Sequence, residues 1–179
     1  GPREIQDSYE IIEWIARQKW CTGKVGMFGV SYFAIIQFMA AALAPPSLKC
    51  IFAPWGLTDY YRDSYYHGGI LRHQRAIAFP LEVSKGRFEN VTRAELGDEG
   101  FQEAVNRALD DPDIAAVPKL VDILKNPDHG ANAFTANILL HPFDGPFWQE
   151  RTPAYSQIKV PAYIGACWSN YGLHLPGAF

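Results

Sequence analysis

Ile11, Ile12, Ile15 and Ala16 recur at helical spacing towards Trp20, and Asp7 followed by Glu10 forms a capping-box-like start, so a helix is expected to begin near Asp7. Cys21-Thr22-Gly23 interrupts that pattern. Val25 to Val30 is then a short continuous apolar run, the signature of a strand in a sheet covered on both faces. Tyr32 to Ala44 is rich in Ala, Ile, Phe and Met and carries no charge, which predicts a helix buried nearly all round. Pro45-Pro46 stops it, and Leu48 to Pro54 reads as a second buried strand. Strand, buried helix and strand together make the right-handed parallel crossover of an α/β sheet.

From Trp55 onward the pattern changes to prolines, aromatics, His67-Gly68-Gly69 and then charged helical periodicity. Thr92 with Glu95 marks a helix start, Phe101 to Leu109 extends it, and Pro118 fits the first turn of a helix ending at Lys125. Val160 to Cys167 restores the buried-strand pattern. The expected organisation is an α/β core over residues 1–59, a helical cap inserted over 60–150, and a return to the core over 151–179. A cap over the carboxyl ends of parallel strands would enclose a pocket where such sheets bind ligands.

The candidate chemistry sits where the first strand meets the apolar helix, at Gly29-Val30-Ser31-Tyr32-Phe33-Ala34. A serine hydroxyl becomes a useful nucleophile when a tight strand-to-helix elbow presents it to a base, and a small residue two positions earlier lets the two backbones pass. Gly29 meets that need. Phe33 breaks the strict G-x-S-x-G pattern, leaving Ala34 as the small residue beyond the serine. Ser31 is thus the candidate nucleophile, and the backbone N–H of Tyr32, at the start of the helix, is a candidate oxyanion donor. Trp55, Tyr60 and Trp168, with Tyr61, Tyr65 and Tyr66, are placed either to line an acyl or aryl pocket or to pack the interior.

Longer stretches carry a resemblance. Asp7-x-x-Glu10, Glu13-Trp14-Ile15, Gln18 to Met27, Gly29-Val30-Ser31-Tyr32, Ala53-Pro54-Trp55, Asp59-Tyr60-Tyr61-Arg62-Asp63, Gly68-Gly69, His141-Pro142-Phe143-Asp144 and Val160-Pro161 resemble the cocaine-esterase (CocE/NonD) and X-prolyl dipeptidyl-peptidase (S15-like) serine hydrolases. Residues from roughly 71 to 140 match only in helical character. The family elbow reads G-x-S-Y-x-G, which accounts for Phe33 and leaves Ala34 as a departure. The resemblance implies an α/β-hydrolase fold and hydrolysis of carboxylic esters, or of amides or peptides, through an acyl-enzyme on Ser31. It aligns the family's acid with Asn170, which reads equally well as a helix N-cap after a strand. The family's histidine lies well beyond the acid, and its second oxyanion donor, a tyrosine hydroxyl, lies well before the elbow. Both would fall outside this chain, so an internal fragment with at most trace activity is expected. A binding protein without turnover is the alternative. Of the five histidines, His67 and His73 fall at the start of the cap, His129 in a polar turn and His141 at a packing position; His174 falls in the first turn of an expected helix four residues past Asn170.

A formal net charge of −3 and a pI near 5.9 offer no attraction to nucleic acid or anionic membrane. No apolar run reaches the ~20 residues of a membrane helix. Cys21, Cys50 and Cys167, an odd and widely spaced set among apolar neighbours, read as buried reduced thiols and point to the cytoplasm. No residue set has metal-ligand spacing, and no cofactor is expected; the expected partner is a small-molecule ester or amide. A sheet of three countable strands leaves an edge open to pairing, from which a homo-oligomer or dependence on a longer parent is expected.

Overall fold

The computed structural model describes residues 2–83, 88–170 and 172–178, with the side chains at 2, 79, 81–83 and 170 outside the description. Two compact units result, one from Gly1–Ser64 with Pro146–Phe179 and one from Tyr65–Gly145. The junctions expected from the hydrophobic pattern lie instead at 59/60 and 150/151.

The first unit is α/β. Helix α1 (Pro2–Ala16) begins before Asp7, so the expected start is corrected. A proline is suited to a first helical turn, whose N–H groups have no partner within the helix. Glu10 pairs backwards along the helix, accepting from Gln6 Nε2 at 3.0 Å. Strands β1 (Val25–Phe28), β2 (Leu48–Pro54) and β5 (Ala162–Gly165) form a parallel sheet in the order β1-β2-β5, with helix α2 (Tyr32–Ala42) crossing between the first two. Ile12 of α1, Ala34, Phe38, Ala40 and Ala41 of α2, and Leu48, Ile51 and Ala53 of β2 make the core, with Val25 and Met27 against it. The Glu13 carboxylate accepts from both the N–H and Oγ of Ser47, at 2.9 and 3.0 Å, tying α1 to the approach of β2.

Expectations of two-sided burial are corrected. Alternate residues of β1 face away from this core, and Phe28, Phe52 and Tyr163 are aligned across the three strands on the opposite face, Phe28 tilted against Phe52 at 5.4 Å and Phe52 stacked on Tyr163 at 4.6 Å. Phe28 is 75% exposed. Cys50 is exposed and Cys21 and Cys167 are half-buried, so the thiols are free but not sequestered. Helix α2 exposes Tyr32 and Phe33 in its first turn while burying Ala34, Ile35, Gln37 and Phe38.

The second unit is mainly helical, with a short hairpin of β3 (Tyr66–His67) and β4 (Ile70–Leu71) turned by Gly68 and Gly69 at φ 62° and 84°. Positive φ at both positions suits glycine, which has no Cβ to clash. Helices α3 (His73–Val83), α4 (Val91–Leu109), α5 (Pro112–Ala115), α6 (Pro118–Lys125) and α7 (Asn132–Leu139) follow, and α6 spans the residues its pattern predicts. The α4 cap is Asn90 rather than Thr92, its side chain accepting from Arg93 N at 3.1 Å. Thr92 instead turns inward: its Oγ donates to Asn137 Oδ1 at 2.7 Å and lies 3.0 Å from His141 Nε2. Phe101, Val105, Leu120, Ile123, Leu124, Ala136 and Leu139 form this unit's core.

Candidate functional site

Ser31 lies at the bend between β1 and α2 with φ 61° and ψ −117°. A serine there is strained by about 1–3 kcal/mol, so the surroundings must impose the conformation. They do so from both sides. Ser31 N donates to Pro54 O at 3.3 Å, and its carbonyl accepts from Ala34 N and Ile35 N at 2.9 and 3.1 Å as the first bonds of α2. A Cβ at Gly29 would stand 2.5 Å from Phe33 Cβ, so only glycine permits this approach of strand to helix. Phe33 points outward, which is why the place of a second glycine can hold it. Ala34 is fully buried, and a Cβ at Gly56 would come within 3.6 Å of its methyl and 2.8 Å of Phe38 Cε2.

Gln37 locks the elbow from beneath. Its Nε2 donates to the carbonyls of Gly29 and Phe33 at 3.1 and 2.9 Å, while its Oε1 accepts from Phe52 N at 3.1 Å. It is 1% exposed. Sequence reasoning passed over this residue, although the signal was present: it is the one amide side chain in an otherwise apolar helix.

The strongest finding is His174. Its Nε2 lies 3.2 Å from Ser31 Oγ, and its Nδ1 lies 3.4 Å from Gly56 O. A carbonyl can only accept, so in this contact Nδ1 carries the ring proton and Nε2 presents its lone pair to the serine hydroxyl. The expectation that His174 belongs to a helix is corrected: it ends a turn ahead of the 3-10 segment Pro176–Ala178. That turn buries the ring to 5% exposure and faces it to the bend. Ser31 follows β1, Gly56 follows β2 and His174 follows β5, so all three stand at the carboxyl edge of the sheet.

The other candidates divide. The Tyr32 N–H has no acceptor among the described residues, as an oxyanion donor requires. Its side chain turns away to donate to Glu4 Oε2 at 2.7 Å, and burial, then that hydrogen bond and the charge of Glu4, push its pKa up to about 12. Asn170 ends the 3-10 turn Trp168–Asn170, and its side chain lies outside the described residues. Trp55 directly follows β2 at φ 57°, its N–H donating to Gly165 O at 2.6 Å. Tyr60 starts the π-helical turn Tyr60–Tyr65. Trp168 is 80% exposed and packs no core. Among the described residues, no group of three or more His, Cys, Asp or Glu is gathered as a metal would need, and no helix is long and apolar enough to cross a membrane.

Residues 1–174 match the sequence model of the X-Pro dipeptidyl-peptidase (S15) family. The chain belongs to this family. It is 28% identical over 167 residues to the cocaine esterase of Rhodococcus sp. strain MB1 Bresler, a match covering 90% of this chain and 29% of that protein. The Xaa-Pro dipeptidyl-peptidase of Lacticaseibacillus casei is 30% identical over 86 residues, 40% of this chain and 11% of that one. A crystal structure of a CocE/NonD family hydrolase from Staphylococcus aureus superposes with a TM-score of 0.58 at 33% identity, over 99% of this chain and 25% of that chain. The fold is therefore α/β-hydrolase-like. The chain spans only 29% of the length of that cocaine esterase and 25% of that of the Staphylococcus aureus hydrolase.

Proposed function

We propose that Ser31 is the nucleophile of a hydrolase acting on small-molecule carboxylic esters, with amides as the harder substrates, and that His174 is its base. The observation that carries this reading is the 3.2 Å contact between Ser31 Oγ and the buried His174 Nε2 at a strained strand-to-helix bend. As Oγ attacks the ester carbonyl carbon, its proton passes to Nε2. The carbonyl π pair moves to oxygen, where the Tyr32 N–H meets the developing charge. Collapse expels the alcohol oxygen, which takes the proton from Nε2, and leaves an acyl group on Ser31. Water then repeats the sequence, its proton going to Nε2 and returning to Oγ as the acid departs.

Throughout, Gly56 O holds the ring. A carbonyl orients an imidazole but does not by itself offset the charge of the imidazolium. The carboxamide of Asn170, at the position the resemblance gives to the family's acid, favours a second reading, in which the chain binds an ester or amide without turning it over. A fluorophosphonate probe separates the two, because it needs an activated serine and no second half-reaction. Labelling of Ser31, lost in Ser31→Ala and slowed about 10²–10⁴-fold in His174→Ala, is the expected result. An unlabelled protein that still binds a substrate-like ester would establish the second reading.

A further inference from the structure

The segment Asp59-Tyr60-Tyr61-Arg62-Asp63 has no part in the chemistry above, yet it holds a buried carboxylate close to the site. Asp63 is 7% exposed, and three donors converge on its Oδ2: Thr58 N at 2.9 Å, Thr58 Oγ1 at 3.0 Å and Asp59 N at 2.9 Å. Asp63 N donates in return to Asp59 O at 2.8 Å. Hydrogen bonds to an ionised acceptor are roughly twice as strong as neutral ones, so this carboxylate fixes the turn after β2 more firmly than a backbone carbonyl would. Tyr155 adds a further tie, donating from its hydroxyl to Thr58 O at 2.5 Å.

That turn begins with Gly56, whose carbonyl meets His174 Nδ1, and it receives the segment that carries His174. Three residues beyond the histidine, a Cβ at Gly177 would stand 2.9 Å from Asp63 Oδ2, 2.9 Å from Thr58 N and 3.1 Å from Leu57 Cα. The segment thus rests directly on the Asp63 hydrogen-bond cluster, with no room for a methyl between them. A route of close contacts runs from Asp63 through the 56–59 turn to the imidazole at Gly56 O, and to the segment that carries it at Gly177.

From this geometry we infer that Asp63 is a positioning residue: its carboxylate holds the turn against which His174 is aligned to Ser31, and Gly177 provides the close seat that makes the alignment possible. The inference rests on His174 being the base. It connects a buried carboxylate to the histidine through the backbone of the 56–59 turn.

The test is a double-mutant cycle on the full 179-residue chain, read as the rate of fluorophosphonate labelling of Ser31 per folded molecule. Asp63→Asn and Gly177→Ala are each combined with His174→Ala. Misplacement of a catalytic group by about 1 Å can cost 10²-fold, so each variant alone should slow labelling about 10- to 100-fold. In the His174→Ala background each should change the rate by less than about 2-fold, because there is no base left to misplace. Equal slowing in both backgrounds would reduce Asp63 to general support, and no slowing in the native background would also overturn the inference. Should Asp63→Asn not fold, Gly177→Ala decides the matter alone. A wild-type labelling rate in His174→Ala would instead refute the base assignment, and that outcome is distinct from the others.

Discussion

Gly29→Ala tests the elbow at its tightest point. The added Cβ would lie 2.5 Å from Phe33 Cβ, 3.2 Å from Phe33 O and 3.3 Å from Phe33 C. Carbon atoms rest at about 3.5–4.0 Å, so strand end and helix start must separate by ~1 Å. Neither side yields easily. Gln37 joins the Gly29 and Phe33 carbonyls through one nitrogen, and Gly29 N donates to Phe52 O at 3.4 Å. Overpacking of this kind costs about 1–3 kcal/mol. Ser31 lies between the two displaced residues, so the same movement carries Oγ out of hydrogen-bond range of His174 Nε2, and a ~1 Å error can lower a rate about 10²-fold. Urea unfolding should report the lost stability, and fluorophosphonate labelling the lost reactivity. Gly26→Ala is the control, since its Cβ would approach the Cys50 side chain at 3.1 Å on the open face, where the thiol can move aside. It should cost less than ~1 kcal/mol and leave labelling unchanged. If Gly29→Ala matched wild type in both measurements, the elbow would not be the constraint that presents Ser31.

Ser31→Gly and Ser31→Ala both remove the hydroxyl and should both abolish labelling, but glycine relieves the strain at φ 61°. The glycine variant should therefore be more stable than the alanine variant by about 1–2 kcal/mol in urea, and the reverse order would contradict the strain. Gln37→Leu keeps the volume but leaves the buried Gly29 carbonyl and the part-buried Phe52 N–H without this partner. A loss of at least ~2 kcal/mol, with slower labelling, is expected from urea unfolding and the probe assay, and a neutral result would remove Gln37 from the elbow. Alkaline titration should show a late tyrosine. Tyr32 rises to about 12 from a usual value near 10, so the folded state holds this proton more tightly than the unfolded chain. Its contribution to stability is complete below pH ~10 and fades as pH climbs towards 12. Burial, then the charge of Asp63, also raises Tyr155. Tyr32→Phe should therefore remove tyrosinate absorbance from the late part of the titration, and an unchanged late rise would contradict this assignment.

Local pattern was sufficient to place the parallel crossover. Pro45-Pro46 ends the one helix whose apolar run could pass between two strands, and the Gly29-x-Ser31 spacing marks the bend, because close backbone approach leaves a direct trace in residue size. The pattern was less informative about which faces are covered. An apolar strand reads alike whether both faces are packed or one is open, and only the register of Phe28, Phe52 and Tyr163 across three strands revealed the stacked outer face. His174 was the hardest to read. It is 143 residues from Ser31, and their contact depends on how β5 and the turn after it return to the sheet edge beside β2. Sequence spacing carries no information about such a closure. The same holds for Asp63 and Gly177: the motif residue and the glycine were visible in the chain, but their contact exists only once the two segments fold together. Residue size and periodicity therefore determined the elbow and the strands, whereas the partner of the nucleophile was decided by tertiary packing, which alone brings residues so distant in sequence within a hydrogen bond.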